Sequence, residues 1–148
     1  MIVMLNLTPL EELIDELRLS LHRVTRVSEE LHADEPISIG MRAVLEYLLR
    51  NSSATVPTIA RSRDVSRQLI QTLVNELVEQ RMVTLVENPA HRRSPLVSLT
   101  PSGERMIQRM RQREREFLES IQSTISEARV VSATRTLRAL RVAFKGEA

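Results

Sequence analysis

One predicted helix, followed directly by a predicted β-hairpin, constrains the fold of this chain more than any other feature. Residues 65–78 predict a short helix, since apolar side chains recur at one- and four-residue steps and fall on one side. Residues 82–87 and 95–99 have the composition of strands, and Asn88-Pro89-Ala90 breaks the chain between them. Because proline cannot donate to a strand ladder, Pro95 predicts that the second strand lies at an edge. A helix leading directly into a small hairpin therefore forms the centre of the predicted fold.

The outer face of that helix carries side chains that can bond to base edges in a major groove. They are Arg67, Gln68, Gln71, Thr72 and Asn75. Ser66, at the helix start, can cap the helix, bind a phosphate, or do both. A solvated helix surface is the alternative interpretation of these residues.

The hairpin and its surroundings are basic. Residues 57–115 contain eleven arginines against six acids, 11 − 6 = +5, whereas residues 1–56 have a net charge of 5 − 9 = −4. Arg92 and Arg93 lie near the hairpin tip, where they would contact a minor groove or its phosphates, unless they serve solubility alone. Arg61 and Arg63 are secondary candidates for phosphate contact. This distribution predicts double-stranded DNA as the ligand.

Amphipathic helices are predicted on both sides of the central unit. Thr8-Pro9-Leu10-Glu11 combines a capping hydroxyl, a proline at the first helical position and a glutamate three residues after the cap. Thr100-Pro101-Ser102-Gly103 opens a second flanking helix, with the threonine as cap and the proline at the first turn. This helix is long, its apolar positions run from Met106 to Ile125, and a final helix follows it. Narrow apolar seams on the terminal helices predict a homodimer. The expected contact residues are Leu10, Ile14, Leu17, Leu21, Leu137, Leu140 and Phe144.

Several classes of function lack support in the composition. The chain has no cysteine and only three glycines, so thiolate chemistry and a glycine-rich phosphate loop are both absent from the sequence. His22 and His32 are not at metal-binding helical spacing and are interpreted as a solvated helix end. No enzyme, metal or cofactor is therefore expected. No run is long enough to span a membrane, and a cytoplasmic location is expected.

The order of these elements resembles the MarR family of dimeric winged-helix transcriptional regulators. The resemblance covers nearly the whole chain and is most specific over residues 65–103, where Arg93 matches the family's wing arginine and Leu99, Thr100 and Gly103 match the strand end and helix start. His91 stands where the family usually has aspartate, so the wing is expected to be held differently. Asp64 and Arg81 occupy turn positions where glycine is common.

The resemblance implies a mainly α fold with a small β-hairpin wing, a winged helix-turn-helix flanked by dimerisation helices. We expect one domain over residues 1–148, with dimerisation helices at 8–33 and 101–146 and a DNA-binding lobe at 38–100. It also implies sequence-specific regulation at a pseudo-palindromic operator, most simply repression, released by a small effector between the dimer helices and the lobe. The alternative is a winged-helix scaffold for protein interactions, although the outer helix face lacks the aromatic and aliphatic side chains that such a surface favours.

Overall fold

The computed structural model of the protein describes residues 8–146, which form six α-helices and three short strands. The elements in chain order are α1 (Pro9–Leu31), α2 (Ile39–Asn51), β1 (Ala54–Thr55), α3 (Val56–Arg63), α4 (Arg67–Glu79), β2 (Val83–Val86), β3 (Leu96–Leu99), α5 (Pro101–Ile121), a 3-10 turn (Gln122–Thr124) and α6 (Glu127–Phe144). The chain divides into two compact units between Arg111 and Gln112. The first contains the elements from α1 through the first half of α5, and the second contains the rest of α5 and α6. The predicted class, mainly helical with a small hairpin, is confirmed.

The predicted capping box at the first helix is present. The Thr8 backbone N–H donates to Glu11 Oε2 at 2.6 Å, and the Glu11 N–H donates to Thr8 Oγ1 at 3.3 Å. Hydrogen bonding from Thr8 lowers the pKa of the Glu11 carboxyl below its ordinary value. Thr100 caps α5 as predicted, since its Oγ1 accepts from the Gly103 N–H at 3.0 Å.

The core of the first unit is formed by α2, α3, α4, the sheet and the start of α5. Its fully buried large side chains are Val44, Leu45, Leu48, Ile59, Val74, Leu77, Val97, Ile107 and Met110. On α4 the buried stripe is narrower than predicted. Leu69 and Val78 remain 47% and 38% exposed because they lie at the two edges of the apolar face, beyond the contact with α2 and α3.

The three strands form an antiparallel sheet in the order β1-β3-β2. The predicted hairpin pairs Val83 with Leu99 and Val86 with Leu96. The edge position expected for the second strand is wrong, because the two-residue β1 pairs with the other side of β3 and makes β3 central. Pro95 precedes the first strand residue, so its missing N–H removes no ladder bond.

Among the described residues, three that are not glycine have a positive φ. Asp64, at 56°, and Arg81, at 58°, are the two turn positions identified in the sequence. Ser52 also has a φ of 60°, with a ψ of −152°, at the end of α2. That combination is almost exclusive to glycine, so Ser52 is strained at a position where no sequence pattern indicates it.

The two histidines of the first helix lie in different environments. His22 is exposed, but His32 is 5% exposed, so its interpretation as solvated is wrong. His32 is the C-cap of α1, a turn follows it, and it lines a cavity that α2 and Met110 of α5 also line. Among residues 8–146 no group of three or more His, Cys, Asp or Glu side chains is placed to hold a metal ion. No helix of this range has the length and apolar character needed to cross a membrane.

The long helix predicted after the hairpin is interrupted. It ends at Ile121, and Ile125 follows the 3-10 turn, outside any helix. On α1, Leu10 and Leu21 are exposed, whereas Ile14 and Leu17 are half-buried. On α6, Leu137 and Phe144 are 41% and 71% exposed. Leu140 of the same helix is half-buried. The dimer contacts predicted at these seven positions remain predictions.

Candidate nucleic-acid interface

The helix-turn-helix is built from α3, a tight turn and α4. Asp64 adopts a left-handed conformation, and its N–H and that of Val65 bond to carbonyls of the last turn of α3. The Val65 N–H, for example, donates to Ala60 O at 3.1 Å. Ser66 then caps α4 by accepting the Leu69 N–H at 3.1 Å. Its capping role is confirmed, and the bond fixes where the exposed face of α4 begins.

The exposed face of α4 is polar, as predicted, because Ile70, Val74 and Leu77 turn the apolar side into the core. Gln68, Gln71, Thr72 and Asn75 line that outer face. Gln71 Nε2 donates to Asn75 Oδ1 at 2.9 Å, and Thr72 Oγ1 donates to the Gln68 carbonyl at 3.0 Å. These bonds hold part of the face in a defined arrangement before any ligand binds.

The wing tip is braced by Asn88. Its Nδ2 donates to the Ser94 carbonyl at 2.9 Å, and its Oδ1 accepts the Ala90 N–H at 3.1 Å. This amide bonds to both sides of the loop and so holds the loop that contains His91. The sequence identifies Asn88 only as a strand breaker. Its signal is the tendency of asparagine to bond to backbone two residues on.

An open cleft of about 360 Å³ separates α4 from the wing. Arg67, Gln68 and Gln71 line one side, and Arg93, Ser94 and Pro95 line the other. Val56, Pro57 and Leu85 complete the wall, an apolar contribution that the sequence does not predict. The charged side chains that line this cleft are both arginines, so it is suited to an anionic ligand.

The remaining predicted site residues lie around this cleft rather than in it. Arg61 and Arg63 are exposed in the last turn of α3. Arg92 lines a separate depression on the wing, which Val86 and Pro89 also border. The structure thus brings Arg67, Gln68, Gln71 and Arg93 together.

A helix-turn-helix whose second helix faces a basic two-stranded wing defines the winged helix-turn-helix class of proteins. The sequence profile of the MarR family matches residues 42–94, from α2 into the wing. An uncharacterized protein of Mycobacterium tuberculosis is 33% identical over 100 residues, which are 68% of this chain and 70% of that protein.

Solved structures agree with this match. A MarR family transcription regulator superimposes with a TM-score of 0.83 at 27% identity, covering 93% of this chain and 91% of that chain. BpsR of Bordetella bronchiseptica has the same fold, with a TM-score of 0.79 at 18% identity over 91% of this chain and 96% of that chain. The chain belongs to the MarR family, and it is a transcription regulator rather than an enzyme.

Proposed function

We propose that this protein is a homodimeric repressor that binds a pseudo-palindromic operator through α4 and the wing and releases it when a small effector binds. The observation that carries the proposal is the cleft between the outer face of α4 and the wing, with Arg67 on one side and Arg93 on the other. A cationic cleft beside an exposed polar helix has the form expected of a surface that reads duplex DNA.

The shape of the cleft fits a particular part of the duplex. A major groove about 12 Å wide admits a helix such as α4, and the neighbouring minor groove admits a basic hairpin. The phosphate strand that separates the two grooves would then run through the cleft between α4 and the wing. Arg67 and Arg93 would neutralise its charge from both sides, while Gln68 and Thr72 face the bases.

The proposed dimer rests on apolar side chains that each terminal helix leaves exposed. Leu10, Leu21 and Val24 of α1 are 56–64% exposed, and Leu137 and Phe144 of α6 are also exposed. Monomeric proteins seldom expose such runs along a helix, and a second copy would cover them. Two-fold symmetry would set the two α4 helices about 34 Å apart, one turn of DNA, and thereby require a palindromic site.

The proposed effector site is a cavity of about 450 Å³ between the end of α1, the start of α2 and α5 of the first unit. Its volume suits a small organic ligand. Arg42 lines it, donates to Ser28 of α1 at 2.9 Å and forms an ion pair with Glu46 at 3.1 Å, so a ligand there would contact a side chain that joins α1 to α2. α2 and α4 share the buried core, where Leu45 and Leu48 lie in one cluster with Val74 and Leu77. Movement of α2 would therefore displace α4. The DNA binding of BpsR is regulated by 6-hydroxynicotinic acid, which makes small aromatic acids the first ligands to test.

The proposal is tested by fluorescence anisotropy of the full-length protein with a duplex from upstream of its own coding sequence. A scrambled duplex of equal length is the control, and both are titrated from about 50 to 200 mM salt. We expect tighter binding to the upstream duplex, with affinity falling by about 10³-fold or more over this range if six or more phosphates are contacted. Equal, weak binding to both duplexes would instead favour the protein-interaction scaffold.

Dimerisation and effector binding are measured separately. Light scattering after size exclusion is expected to give twice the 16.9 kDa mass of one chain. Small aromatic acids are expected to raise the melting temperature and to weaken operator binding by the same molecules. A monomer that binds the operator with full affinity would refute the dimer, and an acid that stabilises without changing DNA affinity would refute the effector role of the cavity.

A further inference from the structure

Two amide side chains form a bonded pair on the outer face of α4. Gln71 and Asn75 lie one helical turn apart, both are exposed, and Gln71 Nε2 donates to Asn75 Oδ1 at 2.9 Å. Gln71 also lines the cleft that faces the wing. The pair is therefore located where a helix inserted into a major groove would meet the bases next to the contacted phosphate strand.

The hydrogen-bonding groups left on Gln71 define which base it can recognise. A glutamine amide has two N–H donors and one carbonyl acceptor, and the bond to Asn75 uses one donor. One N–H and Oε1 remain. In the major groove adenine offers an acceptor, N7, beside a donor, the N6 amino group, which matches this arrangement. Guanine offers two acceptors, N7 and O6, so the Gln71 carbonyl would face another carbonyl oxygen.

We propose that Gln71 is a specificity-determining residue that recognises an adenine in each operator half-site, with Asn75 as the residue that positions it. This inference rests on the proposed function, because it requires α4 to enter a major groove. The bond to Asn75 fixes the plane of the Gln71 amide before DNA binds, which reduces the rotamer freedom lost on binding. A bidentate amide–adenine contact discriminates against the wrong base by roughly 5- to 150-fold.

The experiment starts with the wild-type, full-length protein and a pool of randomised duplexes, from which bound sequences are selected and aligned. We expect each half-site of the selected sequence to contain an adenine that is preferred over every other base by roughly 5-fold or more. Replacing that adenine by 7-deazaadenine removes the N7 acceptor alone, and we expect affinity to fall about tenfold. This measurement leaves the protein unchanged, so folding of a variant cannot affect it.

Variants of Gln71 and Asn75 then test whether these two residues make the contact with adenine. Gln71→Ala is expected to bind the adenine and 7-deazaadenine duplexes equally. Asn75→Ala is expected to lose most of the difference in affinity between these two duplexes. Asn75→Asp retains the acceptor for Gln71 Nε2, so it should keep the adenine preference while binding all duplexes more weakly. Gln108→Ala is the matched control, since Gln108 forms the same kind of exposed bond, to Glu104 Oε1 at 3.1 Å on α5. It should behave as wild type.

The possible failures are distinguishable. If a sequence is enriched but no adenine in it is sensitive to the 7-deaza substitution, or Gln71→Ala keeps every base preference, the inference is wrong and the proposed function stands. A uniform loss of affinity in Gln71→Ala, with unchanged preference, would assign Gln71 to a phosphate and also overturn the inference. If the wild-type protein enriches no sequence, both the proposed function and this inference fail.

Discussion

Gly103 allows the start of α5 to pack against the backbone that precedes β2. A Cβ placed on Gly103 would lie 1.9 Å from the Met82 carbonyl oxygen, below the 3.0 Å limit that real Cβ atoms respect. The two backbones would have to separate by at least 3.0 − 1.9 = 1.1 Å. We therefore predict that Gly103→Ala destabilises the first unit, because the obstructing atom belongs to the main chain and has no rotamer to change.

The magnitude follows from the bonds at this contact. The Thr100 N–H donates to the Met82 carbonyl at 3.0 Å, and Thr100 Oγ1 donates to the Arg81 carbonyl at 2.7 Å. A 1.1 Å separation breaks or weakens both, at about 0.5–1.5 kcal/mol each. Overpacking adds about 1–3 kcal/mol, and the better helix propensity of alanine returns up to about 1 kcal/mol. The expected net loss is about 3 kcal/mol.

The assay is urea and thermal unfolding followed by circular dichroism. For a chain of 148 residues we expect the melting temperature to fall by about 6–12 °C, with the urea midpoint reduced and the m-value unchanged. Gly40→Ala is the control, since its new Cβ would meet only the flexible end of the Leu73 side chain at 3.0 Å. We expect that variant within about 1 kcal/mol of wild type. A free energy of unfolding for Gly103→Ala within about 1 kcal/mol of the wild-type value would show that this backbone contact does not hold α5 in place.

Three further predictions concern the turns, the wing and the first helix. Arg81→Gly and Ser52→Gly are each expected to raise the free energy of unfolding by about 1 kcal/mol, because glycine removes the cost of a positive φ at residues with values of 58° and 60°. Asn88→Ala removes both bonds that brace the wing loop and is expected to weaken operator binding by roughly three- to tenfold in anisotropy, with little change in melting temperature. Glu11, whose pKa is lowered by Thr8, stabilises the fold above its unfolded-state pKa, and this contribution is lost as pH falls through the lower folded-state value. The melting difference between wild type and Glu11→Ala should therefore shrink between about pH 6 and pH 3.

Each of these predictions has a matched comparison. Arg63→Gly, inside the last turn of α3, should lower the free energy of unfolding, since glycine at a helical position has only an entropic cost. If Arg63→Gly instead stabilised the protein, the gain in Arg81→Gly would be unrelated to φ. Asn88→Asp keeps the acceptor for Ala90 but not the donor for Ser94, and should weaken DNA binding less than Asn88→Ala. A Glu11 contribution that grows on acidification would contradict the assigned direction of its pKa.

Local signals in the sequence account for much of the fold. Thr8 and Thr100 cap their helices as predicted, since capping depends on residues within one turn. The polar outer face of α4 follows from the 3.6-residue period alone. Asp64 and Arg81 have a positive φ at the turn positions identified in the sequence, and a turn of this kind is also defined by its immediate neighbours.

The features that sequence reasoning missed depend on distant contacts. The strand β1 has two residues and therefore no period, and it exists because Ala54 pairs with Val97. His32 is buried beside residues of α2 and Met110 of α5, and no local pattern predicts these contacts. The sequence indicates only a strand breaker at Asn88, because its role as a brace requires Ser94, six residues on, to return beside it.

The central claim, that DNA lies in the cleft between α4 and the wing, is tested most directly by the salt dependence of operator affinity in Arg67→Ala/Arg93→Ala, which removes the two arginines that line the cleft. Each phosphate that the protein no longer neutralises lowers the slope of log K against log salt by about 0.9, so a dimer that releases about two to four phosphates should have a slope smaller by about 2–4. Arg105→Ala/Arg111→Ala, which removes two exposed arginines from α5, should leave the slope unchanged. An unchanged slope in the cleft variant would contradict the account, and a reduced slope in the α5 variant would place phosphate contacts on α5 instead.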